Sequence, residues 1–164
     1  MPAANEPVLD AAHAAFIQSG VGMGIAASTR DAKPAHVRAI GCRVSPDRSE
    51  LTIFVSLTQA APMLECIAEN DHVAVVFTNP ATHRTVQVKG GNARCVPLAP
   101  GDLEIVEAYR TAFSQALLPL GFAEMPIRTL LSCAASDIVG IRFTAEEAYS
   151  QTPGPKAGER LART

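Results

Sequence analysis

The chain has 164 residues, 48% of them hydrophobic and 18% charged, with a formal net charge of −2. That length and apolar content fit a single domain, 1–164, that buries its own core without disulfide or metal staples. The balanced charge, with no run of Lys or Arg, excludes the basic footprint that a nucleic-acid or membrane-surface partner requires.

Residues 7–18, PVLDAAHAAFIQ, predict a helix with Val8, Ala11, Ala12, Ala15 and Phe16 on one face, Pro7 in its first turn and Gly20 as its stop. The following GVGMGIAA carries the glycines of a phosphate loop in the wrong order. Such a loop follows a strand and opens a helix, whereas these glycines close one. From there the pattern has period two. Val21, Met23, Ile25 and Ala27 point one way and Gly22, Gly24, Ala26 and Ser28 the other, so a strand is expected whose stripped face packs tightly against a helix. A turn at 29–34 leads to a strand over 35–44, and a turn at 45–50 makes a hairpin with the β-branched and aromatic LTIFVS, 51–56.

The segment 58–70 predicts a short helix with Met63, Leu64 and Ile67 on one face and Thr58 as a cap. An apolar strand at 72–78, a turn at 79–83 and a long strand at 84–96 come next, with a bulge or sharp bend expected at Gly90-Gly91. A second helix follows, capped by Asp102, striped with Val106, Tyr109, Phe113, Ala116 and Leu117, and stopped by Pro119. A helical piece at 126–132 precedes a last strand at 137–144, which leaves 145–164 turn-rich and polar, either a surface arm or partly disordered. The fold class read from this order is mainly β with flanking helices: a six-stranded antiparallel barrel with its core over about 8–144.

Cys42, Cys66, Cys95 and Cys133 form no CxxC and no Cys/His pair at metal-ligand spacing, so they read as reduced, mostly buried thiols. The histidines at 13, 36, 72 and 83 stand apart from any nucleophile, Glu146-Glu147 falls in the polar tail, and Glu107 can pair with Arg110. General acid–base catalysis thus has no candidate, which suits a cofactor-dependent enzyme or a non-enzyme equally. Arg38, on one strand face with His36, Ile40 and Cys42, is either a half-buried cation beside a groove or a surface arginine. Arg84, Thr85, Gln87 and Lys89 form a polar set that either meets a ligand or is solvated. The opening MPAANEP has no cationic segment followed by an apolar core, and no apolar run nears the ~20 residues of a bilayer span, so a cytoplasmic location is expected.

Taken together, KPAHVRAIGCRVSPDRSELTIFVS, LECIAENDHVAVVF and HRTVQVKGGNARCV resemble the pyridoxamine 5′-phosphate oxidase-like, FMN-binding split-barrel superfamily, over about residues 8–144. The resemblance implies a six-stranded split barrel that forms a homodimer, with FMN or a related flavin in a groove at the subunit interface. By position it implies Arg38 as a phosphate ligand and Arg84 and Thr85 near the flavin ring and ribityl chain. Where many members carry a Ser-Arg-Lys-like group, this chain has Ala61-Pro62-Met63, which leaves Thr58 and Gln59 to supply hydrogen bonds without charge. Two functions follow as expectations: an FMN-dependent oxidoreductase acting on a small molecule, or a flavin-free binding module on the same dimeric scaffold, with haem among its possible ligands. A dimer that binds no ligand is the third.

Overall fold

The computed structural model describes residues 6–163, so the expectation for MPAANEP rests largely on residues outside those described. In chain order the elements are α1 (Ala11–Ile17), β1 (Gly22–Ser28), β2 (Pro34–Arg38), β3 (Cys42–Val44), β4 (Glu50–Ser56), α2 (Leu57–Glu69), β5 (Val73–Thr78), β6 (Thr85–Val96), α3 (Asp102–Leu117), α4 (Glu124–Leu131) and β7 (Ile138–Ser150). The strands form one antiparallel sheet in the order β2-β1-β5-β6-β7-β4-β3. Its two end strands, β2 and β3, are halves of one bent segment. At the bend the Ala39 N–H donates to Met23 O in β1, while the Ile40 N–H donates to Phe54 O in β4. The curled sheet is therefore pinned together at a corner, giving a half-barrel with helices on its flanks.

That bend replaces the single strand expected over 35–44 and raises the strand number from six to seven. Gly41 takes φ +141°, a backbone region that side-chain-bearing residues avoid, and the turn it permits sends β2 to β1 and β3 to β4. Gly90-Gly91 behaves as expected: the β6–β7 register shifts on either side of the pair. A Cβ on Gly90 would overlap the Thr144 carbonyl oxygen, so β7 crosses there at a distance only glycine allows.

The core lies inside the curl. Leu51, Ile53 and Val55 of β4, Ile25 of β1, Val75 and Phe77 of β5, and Ile141 and Phe143 of β7 are fully buried. Burying each such side chain contributes about 1.5–3 kcal/mol. Outside β4, Val106 and Tyr109 of α3 pack against the bend, and the Tyr109 hydroxyl donates to Val21 O at 2.9 Å.

Several local expectations are corrected. The first helix begins after Asp10, whose carboxylate accepts from the His13 N–H, so Val8 and Leu9 enter the core ahead of it. With its phase reset, the helix buries Ala14 and Ile17 and leaves Ala11, Ala12 and Ala15 exposed. Because β4 runs straight into α2, Ser56 rather than Thr58 caps that helix. Gly101 is the N-cap of α3, and Asp102 instead lies buried, accepting from the Ala99 N–H at 2.8 Å and the Arg43 guanidinium at 2.9 Å. The last strand continues through AEEAYS to Ser150, because β6 needs a backbone partner along Val86–Lys89. Glu146-Glu147 therefore belongs to the sheet, and the chain beyond it folds back: the Leu161 N–H donates to Ala148 O.

Candidate functional site

Two strands on each side of the β1–β5 boundary present one outward face. Register sets Arg38 of β2 opposite Gly24, Gly24 opposite Val76 of β5, and Val76 opposite Gln87 of β6; the next row runs His36, Ala26, Ala74 and Lys89. Because Gly22, Gly24, Ala26 and Ala74 raise almost nothing above the backbone, these rows form the floor of an open groove of about 330 Å³. Arg38, Thr78 and Gln87 line its sides, and His36 and Val76 stand on its floor. The stripped face of β1 thus lines a groove instead of packing under a helix. Only its start meets a helix, where a Cβ on Gly22 would stand 3.5 Å from the Phe113 ring of α3, and the His36 imidazole lies where a Cβ on Gly24 would sit.

Arg38 also borders a smaller hollow with Ile40, Ser56, Gln59, Leu130 and Cys133. This hollow brings the groove to the amino end of α2, where an anion would normally find free donors. Here the chain fills the position itself. The Thr58 N–H and hydroxyl donate to Asp137 Oδ1 at 3.0 and 2.7 Å, and the Ser56 hydroxyl donates to Asp137 Oδ2. Hydrogen bonds from the Ser56 and then the Thr58 hydroxyl hold the Asp137 carboxyl below its ordinary value of 3.8.

The residues singled out from the sequence are thus only partly brought together. Arg38 and Gln59 share the small hollow, with the Arg38 guanidinium exposed and in no ion pair among the described residues. The bend separates Arg38 and His36, on the groove, from Ile40 and Cys42, which are buried. Thr58 adjoins the hollow, but its donors are spent on Asp137. Thr85 is buried beyond the end of the groove, paired with Thr78, its hydroxyl donating to His83 O and standing 3.1 Å from that of Thr78. Strand parity places Thr85, Gln87 and Lys89 on one face and excludes Arg84, whose guanidinium stacks 4.3 Å over the Phe16 ring. Gln87, from the polar set marked in the sequence, lines the groove, whereas Thr78 emerges as a groove residue only through strand pairing. Period two marks their strands but not their neighbours.

Beside the groove, sharing Ala26 and Ala74 with it, lies a second hollow of about 450 Å³ lined by Ser28, Asn70, His72, Lys89, Glu146 and Glu147. Lys89 lies 5.3 Å over the Tyr149 ring, and the Tyr149 hydroxyl donates to Glu147. The thiols are all free, but only Cys42 and Cys66 are buried; Cys95 is exposed and Cys133 half-buried. Burial pushes the Cys42 thiol up to about 12. Burial raises Cys95 and Cys133 as well, so none of these three is activated as a nucleophile. Among the described residues no group of three or more His, Cys, Asp or Glu is arranged to hold a metal ion, and no helix is long and apolar enough to cross a membrane.

No protein-family model matches the sequence, and no curated protein matches it. Solved structures do resemble it. An F420 reductase aligns at 15% identity over 85% of this chain and 98% of its own, with a TM-score of 0.55. HupZ of Group A Streptococcus aligns at 13% identity over 92% and 99%, with a TM-score of 0.55. A putative pyridoxamine 5′-phosphate oxidase of Lactobacillus delbrueckii aligns at 17% identity over 90% and 97%, with a TM-score of 0.52. At these identities the likeness is one of fold.

Proposed function

We propose that this chain, which has the split-barrel fold of the pyridoxamine 5′-phosphate oxidase-like superfamily, binds a flavin-type cofactor in the β1–β5 groove and acts as a dimeric oxidoreductase on a small molecule. The supporting observation is the groove floor. Gly22, Gly24, Ala26 and Ala74 make a shallow bed, open to a fused ring once the exposed His36 side chain turns off Gly24, with Val76 beside it and Arg38 and Gln87 at its margin. A flavin ring bound there would supply the electron or hydride transfer, which the side chains of this groove do not offer.

The chain's own residues bind and orient. Arg38 supplies the positive charge at one end, and Gln87 and Thr78 offer hydrogen bonds along the side. The fit to FMN is incomplete. Its ring and ribityl chain match the floor and the polar side, but its phosphate would meet Arg38 without the α2 donors, which Asp137 occupies. Val76 stands 38% exposed in the same apolar face, and a second copy of the chain covering it would make the groove an interface site. The free thiols accord with a reducing, cytoplasmic setting.

One observation favours a second reading: His36 places an imidazole on the groove floor, and imidazole is a common axial ligand of haem iron. The absorbance spectrum of purified protein titrated with riboflavin, FMN and haemin separates the two. A perturbed flavin band supports the first reading and a sharpened Soret band the second. No response to either flavin at millimolar concentration rejects the first.

A further inference from the structure

We infer that Asp137 sets the ligand class of the groove: its carboxylate holds the anion position at the amino end of α2, so the site takes a flavin without a terminal phosphate at least as well as the phosphate ester. This inference rests on the flavin reading and concerns only the end of the ligand that reaches Arg38.

Within the groove and the hollow next to it, a phosphate has two places to go. One is the Arg38 guanidinium, and the other is the amino end of α2, a helix of 13 residues whose Ser56 and Gln59 line the same hollow as Arg38. Three donors at that end already serve Asp137: the Thr58 N–H, the Thr58 hydroxyl and the Ser56 hydroxyl. Both carboxylate oxygens are engaged, so Asp137 stands as an internal anion. Its backbone is anchored by the next residue, Ile138, which begins β7 opposite Ser56, and its side chain is held by those three hydrogen bonds.

A phosphate arriving at this end therefore gains Arg38 and meets the negative charge of Asp137, two unit charges of opposite sign that offset one another. Lys89 does not alter this balance, since it lies over Tyr149 beside the second hollow. The lowered pKa of Asp137 keeps the carboxylate ionised at neutral pH, when the competition matters.

Riboflavin and FMN are titrated separately into the wild-type protein, with quenching of flavin fluorescence as the readout. FMN is expected to bind no more tightly than riboflavin. Asp137→Asn, which keeps the acceptor oxygen for Thr58, turns an amide NH2 toward the Ser56 hydroxyl and removes the charge, is expected to tighten FMN about tenfold and to leave riboflavin within about twofold. Wild-type protein that binds FMN tenfold more tightly than riboflavin overturns the inference and leaves the flavin reading standing. Equal shifts of both flavins in Asp137→Asn make the residue purely structural and overturn it too. Binding of neither flavin at millimolar concentration overturns the inference and the flavin reading together. The wild-type comparison decides by itself if the variant does not fold.

Discussion

Gly24→Val separates the groove from the stability of the barrel, because its expected effects have opposite signs. Gly24 lies mid-strand in β1, paired on both sides, and its φ is not positive, so a β-branched residue can adopt its backbone conformation. The new Cβ meets only the far end of the His36 side chain, which is exposed and free to rotate outward. Removing a strand glycine should raise stability by about 0.5–1 kcal/mol, or roughly 1–4 °C in Tm for a chain of this size. On the floor, the valine side chain would lift a flat ring off about 60–100 Å² of contact. At ~25 cal/mol per Å² that costs about 1.5–2.5 kcal/mol and weakens binding about ten- to seventyfold. Differential scanning fluorimetry without ligand and riboflavin titration by fluorescence give the two numbers. Unchanged riboflavin affinity in a folded variant would refute the placement of the ring on Gly24. A fall in Tm of more than about 5 °C would refute the view that only His36 needs to yield.

Arg38→Ala should weaken FMN about tenfold, leave riboflavin nearly unaffected and hardly move the ligand-free Tm, since the exposed side chain is in no ion pair; a large Tm loss in calorimetry would show a structural role instead. Asp102→Ala strands Arg43 and the Ala99 N–H and should cost about 3 kcal/mol, seen as a Tm lower by about 6–12 °C, whereas a loss below 1 kcal/mol in urea melts would mean the pair adds little. Asp137 is held below its ordinary 3.8, so its contribution is present above that pH and is lost as pH falls through the depressed folded value; Asp137→Asn should therefore lose Tm less steeply than wild type below pH 3.8. Val76→Glu places a charge on the exposed sheet face and should shift the protein from dimer to monomer in light scattering, an outcome that a monomeric wild type would make moot by refuting the dimer itself.

What could be read from the sequence was whatever repeats within a few residues. The alternation Val21, Met23, Ile25, Ala27 marked the inward face of β1, and all four are buried. Gly90-Gly91 marked the irregular crossing of β6 and β7, and Glu107 does pair with Arg110. The same local view misjudged every feature whose cause lies elsewhere in the chain. Nothing near Gly22 and Gly24 says whether a helix will cover them, and here α3 reaches Gly22 through Phe113 while Gly24 is left to the groove. Polar AEEAYS looks like a tail until β6 is seen to need a partner. Asp137 and Thr58 are 79 residues apart, and their hydrogen bond leaves no trace in either neighbourhood. That one contact makes the amino end of α2 a closed position.

The placement of β7 bears on how the chain reaches this structure. The last strand in sequence lies inside the sheet, between β6 and β4, with Leu51, Ile53 and Val55 of β4 paired to its Phe143, Ile141 and Val139. During synthesis the chain therefore carries two unpaired inner edges, one of them on a strand that is almost wholly buried in the finished fold, until residues 138–150 have left the ribosome. The hairpins β1–β2 and β5–β6 can form early, because their partners are near in sequence. Closure of the half-barrel has to wait for the C-terminal strand, and this long-range pairing is the kind that slows folding. A chain truncated before Ile138 should accordingly aggregate when expressed, while point changes in the early hairpins should leave the rate of closure largely unaltered.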